Sequence, residues 1–195
     1  MPYYSPKNKE SGFTLVELLI AMTIGLIILT ALSSTFLMQR KIYDVQEQIV
    51  EMVQTARAAM DMMSREIRMA GYNPAGATFD GITYNAGQLQ IRSDLDGDKN
   101  ITGQENIIYI YDGTDFQIDR NIGSGDQPFA ENIQSFTFDY LEADGVTKVT
   151  TTADNNKIRQ IKITIKARSA KPDAGYGGYR THTLTSLITP RNLGL

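Results

Sequence analysis

Residues 13–37, FTLVELLIAMTIGLIILTALSSTFL, form the longest apolar stretch of the chain and contain a single charged residue, Glu17. About 20 apolar residues are enough for a helix to cross a bilayer, so this stretch predicts a transmembrane segment. An unpaired carboxylate in hydrocarbon is costly. The position of Glu17 near the start of the stretch therefore requires a specific explanation.

Residues 1–12 form a short polar leader in which Lys7 and Lys9 precede the apolar stretch. An ordinary secretory signal has a shorter apolar region that ends in a small-residue cleavage site, and no such site ends residues 13–37. The positive-inside rule predicts that the leader lies in the cytoplasm. It places the C-terminus on the other side of the membrane.

Composition limits the classes of function. The 195-residue chain has no cysteine and a formal net charge of −3. The lack of cysteine excludes disulfides, thiolate catalysis and cysteine-ligated metal sites. A weak negative charge gives no electrostatic basis for binding nucleic acid, which depends on basic patches. His182 is the single histidine and lies in a predicted strand without a nucleophile motif, so we expect no enzyme and no nucleic-acid partner.

The junction between the leader and the apolar stretch, GFTLVELLIA at residues 12–21, resembles the class III signal of type IV pilins and type II secretion pseudopilins. The resemblance implies that a prepilin peptidase cuts between Gly12 and Phe13 and methylates the new N-terminal Phe13. It also implies that Glu17 neutralises the α-amino group of Phe13 on a neighbouring subunit during assembly. An ammonium and a carboxylate that meet in a low dielectric reduce each other's burial penalty. The alternative is a membrane glutamate that snorkels to the interface.

Beyond residue 37 the apolar pattern narrows to a stripe with nearly heptad spacing. Its members are Ile42, Val45, Ile49, Met52, Ala56, Ala59, Met63, Ile67 and Ala70. The pattern predicts one helix from about residue 13 to about residue 70, which Gly71 and the following Asn73-Pro74 terminate. We expect the lower half to pack on the protein's own sheet instead of forming a dedicated coiled coil. The upper half, about residues 13–40, would face lipid or the same helix of other subunits.

From residue 72 the apolar period changes to two, which is typical of strands. Strands are predicted at residues 88–92, 106–111, 114–119, 133–141, 158–167 and 181–188, with a Gly/Asp/Asn-rich link at 120–128. The expected fold is α+β, with a long N-terminal transmembrane and amphipathic helix packed on an antiparallel β-sheet head, as in the type IV pilin fold. The predicted segments are the leader (1–12), the transmembrane and filament-core half of the helix (13–38), its amphipathic half (39–71) and the head (72–195).

The head also resembles the PilW minor pilins and their pseudopilin relative GspJ. The resemblance lies in MSREIRMAGYNP at 63–74, IQSFTFDY at 133–140, IRQIKI at 158–163 and TSLITPRN at 185–192. It implies a minor pilin that primes assembly of a type IV pilus or caps it. The implied partners are prepilin peptidase, other minor pilins, the major pilin and, before assembly, inner-membrane lipid. The implied location is the inner membrane, in a single pass with a periplasmic C-terminus, and then the cell-surface pilus.

Two alternatives stay open at this point. One is a pseudopilin of a type II secretion system, and the other is a calcium-dependent adhesin head carried on a pilus.

An acidic segment, DLDGDKNITGQE at residues 94–105, suggests a calcium loop. Oxygen-bearing residues occupy places 1, 3, 5, 7, 9 and 12 of an EF-hand-type loop, namely Asp94, Asp96, Asp98, Asn100, Thr102 and Glu105. Lys99 stands at the sixth place, where glycine normally permits a sharp turn, and strands instead of helices are predicted on both sides. A stand-alone structural calcium site is therefore the hypothesis, and a solvated Asp/Gly/Asn turn is its alternative.

Overall fold

The computed structural model describes residues 12–193 of the chain. The chain divides into two compact units with the boundary between Gln46 and Glu47. Helix α1 runs over Leu15–Met69, so its N-terminal part lies in the first unit and its C-terminal part in the second.

In the first unit, none of the described residues is buried, and the apolar side chains are exposed on every side of α1. The Thr23 and Thr30 hydroxyls donate to the backbone carbonyls of residues four positions earlier, at 2.7 and 2.8 Å. Such bonds satisfy polar side chains within the helix, as a hydrocarbon environment requires. The helix is long and apolar enough to cross a membrane, which agrees with the predicted anchor.

In the second unit, α1 ends where the sequence predicted. Gly71 has a φ of +76°, a backbone conformation that glycine adopts without steric cost. Its N–H donates to the Arg92 carbonyl at 2.9 Å, and the Tyr72 N–H donates to the Met69 carbonyl at 3.0 Å. Gly81 lies so close that a Cβ built on it would come 2.4 Å from the Gly71 nitrogen. The helix end is thereby attached to the first sheet.

The first sheet of the second unit has five antiparallel strands in chain order. They are β1 (Ile82–Thr83), β2 (Gln88–Arg92), β3 (Asn106–Asp112), β4 (Gln117–Asn121) and β5 (Asp126–Ala130). A 3-10 turn, Gly103–Glu105, leads directly into β3.

The second sheet has three antiparallel strands, also in chain order. They are β6 (Ile133–Leu141), β7 (Gln160–Arg168) and β8 (Thr181–Ile188), and a second 3-10 segment, Thr152–Lys157, precedes β7. Two tyrosines join the sheets. The Tyr111 hydroxyl on β3 donates to the Gln134 carbonyl at 2.6 Å, and the Tyr140 hydroxyl on β6 donates to the Gln88 carbonyl at 3.0 Å.

One hydrophobic core joins α1 and both sheets. The buried residues of α1 are Met52, Ala56, Ala59, Met60, Met63 and Ile67, and Ala70, directly after the helix, is also buried. The predicted stripe is therefore confirmed from Met52 onward, where it packs within the head. The α+β architecture, with a long apolar helix packed on antiparallel sheet, is also confirmed.

The structure corrects the predicted sheet and strands in four places. The head contains two sheets instead of one, because pairing between distant strands is not encoded in local alternation. Residues 126–130, within and just after the predicted 120–128 link, form β5, an edge strand that tolerates Pro128 because only one side pairs. The strand predicted at 114–119 begins instead at Gln117, since residues 113–116 turn and Phe116 has a φ of +56°. The two-residue strand β1 was not predicted.

Candidate functional site at the start of the helix

The Gly12–Phe13 bond lies in non-helical backbone immediately before α1. The Phe13 side chain is 91% exposed, and no atom lies within 4 Å of a Cβ built on Gly12. Exposed backbone outside regular structure is the preferred substrate of proteases. The predicted cleavage site therefore lies in exposed backbone outside α1.

Thr14 and Glu17 form a capping box at the first turn of α1. The Thr14 carbonyl accepts the Leu18 N–H at 3.2 Å, which marks Thr14 as the N-cap. The Glu17 N–H donates to Thr14 Oγ1 at 3.3 Å, and the Thr14 N–H donates back to Glu17 Oε2 at 2.9 Å. This reciprocal pair satisfies two of the backbone donors that every helix start leaves unpaired.

The capping box fixes one oxygen of the Glu17 carboxylate. Oε2 also accepts the Thr14 hydroxyl at 2.8 Å, whereas no hydrogen bond from the described residues reaches Oε1. Thr14 was missed at the level of sequence, although Thr14-Leu15-Val16-Glu17 has the S/T-x-x-E spacing that precedes many helices. Glu17 therefore also has a local role in capping the helix, which the family resemblance does not imply.

The predicted metal residues lie in the segment that joins β2 to β3. Arg92 and Asn106, at its two ends, are paired partners in the sheet. Asp94, Asp96 and Asp98 each offer a carboxylate oxygen, and these oxygens lie within 4.8 Å of one another. Asp94 is buried, whereas Asp96 and Asp98 are exposed.

Of the other three predicted ligands, Glu105 lies outside this carboxylate group, and Asn100 and Thr102 make hydrogen bonds within the same loop. Glu105 Oε1 accepts the N–H groups of Leu95 and Asp96, at 2.5 and 3.2 Å. The Asn100 N–H donates to Asp98 Oδ1 at 2.7 Å, and the Thr102 carbonyl accepts the Glu105 N–H at 3.0 Å. The structure thus brings together the first three acidic residues and uses Glu105 to hold the loop backbone.

A polar cluster that the sequence did not reveal joins the helix to the first sheet. Glu66 on α1 accepts the Arg120 Nη2 donor at 2.8 Å through Oε1, and the Tyr109 hydroxyl through Oε2. Both members of the Glu66–Arg120 ion pair are mostly buried, with side chains 15% and 17% exposed. Burial, followed by the hydrogen bond to Glu66, raises the pKa of Tyr109 well above its ordinary value.

These features together define the class of protein. An exposed, membrane-length apolar helix begins just after a Gly-Phe junction, carries one early glutamate and packs its lower part in an α+β head. The chain is type IV pilin-like. The sequence family described as "Prokaryotic N-terminal methylation motif" matches residues 7–33.

The matched segment covers part of the leader, the Gly12–Phe13 junction and most of the apolar stretch. This prepilin motif implies processing by prepilin peptidase, anchoring in the membrane and association with pilus components in general. The whole head, residues 72–195, lies outside the match. No curated protein matches the chain.

Proposed function

We propose that this chain is a minor pilin of the PilW type that primes assembly of a type IV pilus or caps it. The observation that carries the proposal is the methylation motif at the start of an apolar stretch, residues 13–37, whose single charge is Glu17. In this proposal the precursor spans the inner membrane once, with its head in the periplasm. The mature protein then moves into a cell-surface pilus, and its function is structural, without enzymatic chemistry.

The pairing of Glu17 with an α-amino group supplies the assembly mechanism. Cleavage at Gly12 gives Phe13 an α-amino group, which has a pKa of about 8 in peptides and is mostly positive at neutral pH. The capping box orients Glu17 through Oε2 and leaves Oε1 to accept the amine of a neighbouring subunit. Lipid offers no such partner, so the filament is the more favourable environment for this carboxylate.

The positions of three PilW-like segments in the second sheet support the minor-pilin assignment. Residues 133–140 are within β6, 158–163 overlap the start of β7, and 185–192 include the end of β8. These segments therefore trace the three-stranded sheet. We propose that the head, through this sheet and its loops, selects the other minor pilins that join the complex.

Purified surface filaments test processing and incorporation together. Mass spectrometry of this protein in the filaments should find Phe13 as a methylated N-terminus. Recovery with an intact leader, or cleavage at another bond, would contradict the proposed maturation. Absence from the filaments, with loss of protein secretion on deletion of the gene, would favour the pseudopilin instead.

A pair of substitutions separates the two roles of Glu17. Glu17→Gln keeps an oxygen acceptor for the capping box but removes the charge, whereas Glu17→Ala removes both. Pairing with an amine predicts that both variants are cleaved normally and that both are poorly incorporated into filaments. Incorporation of Glu17→Gln at the wild-type level would show that capping alone matters and would refute the pairing role.

A further inference from the structure

Asp94 carries a buried carboxylate for which the described residues supply no cation. Its side chain is fully buried, at 0% exposed, and Oδ1 accepts the Gly97 N–H at 2.9 Å. Oδ2 has no hydrogen-bond partner in the part of the chain that the structure describes. None of the ion pairs among the described residues includes Asp94. A buried charge is costly unless a positive group compensates it, so this position calls for a cation.

Two more carboxylates converge on the same place. Asp94, Asp96 and Asp98 present oxygens within 4.8 Å of one another. Two oxygens bound to one calcium ion at about 2.3–2.6 Å lie no more than about 4.6–5.2 Å apart. We propose that this group is a calcium site in which Asp94 is the buried ligand and Asp96 and Asp98 bind from the exposed side.

The surrounding loop is built to hold these residues in position. The Asp94 N–H donates to the Tyr72 carbonyl at 2.7 Å, which attaches the first ligand to the segment after α1. Glu105 Oε1 accepts the Leu95 and Asp96 N–H groups and so fixes the backbone between the first two ligands. Glu105 is therefore a positioning residue in this arrangement, while the ion is held by the three aspartates together with backbone or water oxygens.

Lys99 adopts the backbone conformation that the calcium-loop frame requires at its sixth place. Its φ is +70°, in the left-handed region where a glycine is normally found. The EF-hand loop uses glycine at this place for its sharp turn. Lys99 therefore adopts at this place the left-handed conformation that glycine adopts in the EF-hand loop, and it adds a positive charge to the loop.

The ligand chemistry favours calcium over magnesium. Calcium accepts six to eight oxygen ligands in flexible geometry, whereas magnesium requires a near-octahedral arrangement at about 2.0–2.1 Å. A site with three carboxylates on a surface loop resembles the weaker extracellular calcium modules. We expect a dissociation constant of about 10⁻⁴–10⁻³ M.

The test uses the full chain in detergent micelles, stripped of metal with a chelator. Addition of about 10 mM calcium chloride should raise the melting temperature of the head by about 3–10 °C, since ligand binding stabilises the folded state. The same concentration of magnesium chloride should raise it much less. No rise with calcium, or an equal rise with magnesium, would overturn the proposal.

Isothermal titration calorimetry of substituted chains with calcium tests whether the ion binds at the three aspartates. Asp96→Asn keeps the oxygen that accepts the Asp98 N–H at 3.0 Å but loses the charge, so calcium affinity should fall about tenfold or more. Asp144→Asn is the matched control, because Asp144 caps another exposed turn by accepting the Val146 N–H at 2.9 Å. Wild-type affinity in Asp96→Asn, or an equal loss in Asp144→Asn, would place the binding elsewhere.

Lys99 provides a gain-of-binding variant that does not depend on loss of a ligand. Lys99→Gly should bind calcium several-fold more tightly, because it removes a positive charge from the loop that supplies the ligands. Lys99→Ala removes the same charge and should give a similar gain. Weaker calcium binding by Lys99→Gly than by the wild type would contradict the proposed loop frame.

Discussion

Glu17 is held by its own chain before any neighbouring subunit is present. A lone carboxylate in an apolar segment lacks hydrogen-bond donors unless water reaches it. In the first turn of α1, the N–H and the hydroxyl of Thr14 both donate hydrogen bonds to it. The same contacts give the helix a defined start two residues after Phe13. A local capping motif and an assembly residue are thus combined in one side chain, and each role can be tested separately.

Thr14→Ala should loosen the first turn of α1. Loss of a threonine cap costs about 1 kcal/mol, which corresponds to about fivefold faster amide exchange of the Glu17 N–H. Hydrogen exchange of the protein in micelles, followed by NMR or mass spectrometry, measures this effect. Thr14→Ser retains the hydroxyl and is the control that should exchange at the wild-type rate. Equal exchange in all three proteins would show that the capping bond does not protect this turn.

Buried tyrosines should make the head sensitive to alkaline pH. Burial raises the pKa of Tyr109 and Tyr140 well above the ordinary value of 10.0. The folded head then keeps both phenols protonated, while the unfolded chain releases these protons near pH 10. Because the folded state binds more protons there, the stabilisation is fully present below pH 10 and is lost as pH rises beyond it.

Tyr140→Phe tests this linkage by denaturant unfolding between neutral pH and pH 11. At neutral pH the variant should be about 1 kcal/mol less stable, because two backbone carbonyls lose their hydroxyl donor. Above pH 10 the difference from wild type should shrink. Tyr176→Phe, at an exposed position, should follow the wild type throughout. A difference that stays constant with pH would rule out this contribution from Tyr140.

At the scale of elements, α1 changes its surroundings along its length. In residues 15–46 no side chain is buried, whereas from Met52 onward a regular face enters the core. Glu66 lies beside this buried face and adds polar contacts to Tyr109 on β3 and Arg120 on β4. The helix is therefore fixed to the first sheet by a specific ion pair as well as by apolar packing.

Glu66→Ala should destabilise the head by about 2 kcal/mol, because Arg120 and Tyr109 would lose their shared acceptor. The expected value lies below that for a fully buried pair, since both side chains keep some contact with water. Denaturant unfolding in micelles measures it. Glu51→Ala, at an exposed position of the same helix, should change stability by less than about 0.5 kcal/mol. Equal effects of the two substitutions would show that the cluster contributes nothing specific.

The elements that sequence could predict are those with a strong local period. Two local patterns correctly predicted buried faces: the helical stripe from Met52 onward, and the alternation of Ile161, Ile163 and Ile165 in β7. An apolar residue at every helical turn, or at every second position of a strand, is enough to identify the buried face. Gly71 marked the helix end for a stereochemical reason. Strand β5 and the division into two sheets depend on partners far away in the chain, and no local pattern encodes them.

The candidate sites also differ in how far local sequence could predict them. Gly12, Phe13 and Glu17 are predicted from a contiguous motif, and the acidic spacing at 94–98 is visible in the sequence as alternation. The burial of Asp94 was not predictable, because it follows from how β2, β3 and the segment after α1 meet. The Glu66 cluster was hidden for the same reason, since its members are 43 and 54 residues apart along the chain.

At the scale of the whole molecule, the two units depend on different sources of stability. All members of the hydrophobic core lie in residues 47–195, and none of the described residues before 47 is buried. The first unit exposes apolar side chains that only lipid or other helices can cover. The second unit contains its own core, to which the C-terminal part of α1 contributes six buried residues.

This division predicts the outcome of two truncations. A chain that begins at Glu47 should be soluble and should melt cooperatively, because it retains the complete core. A chain that begins at residue 72 should not fold. It lacks Met52, Met60, Met63 and Ile67, and loss of even one such side chain costs about 2–5 kcal/mol against a total stability of about 5–15 kcal/mol. Circular dichroism melting of both chains tests this. Cooperative melting of the shorter chain would show that the sheets fold without the helix.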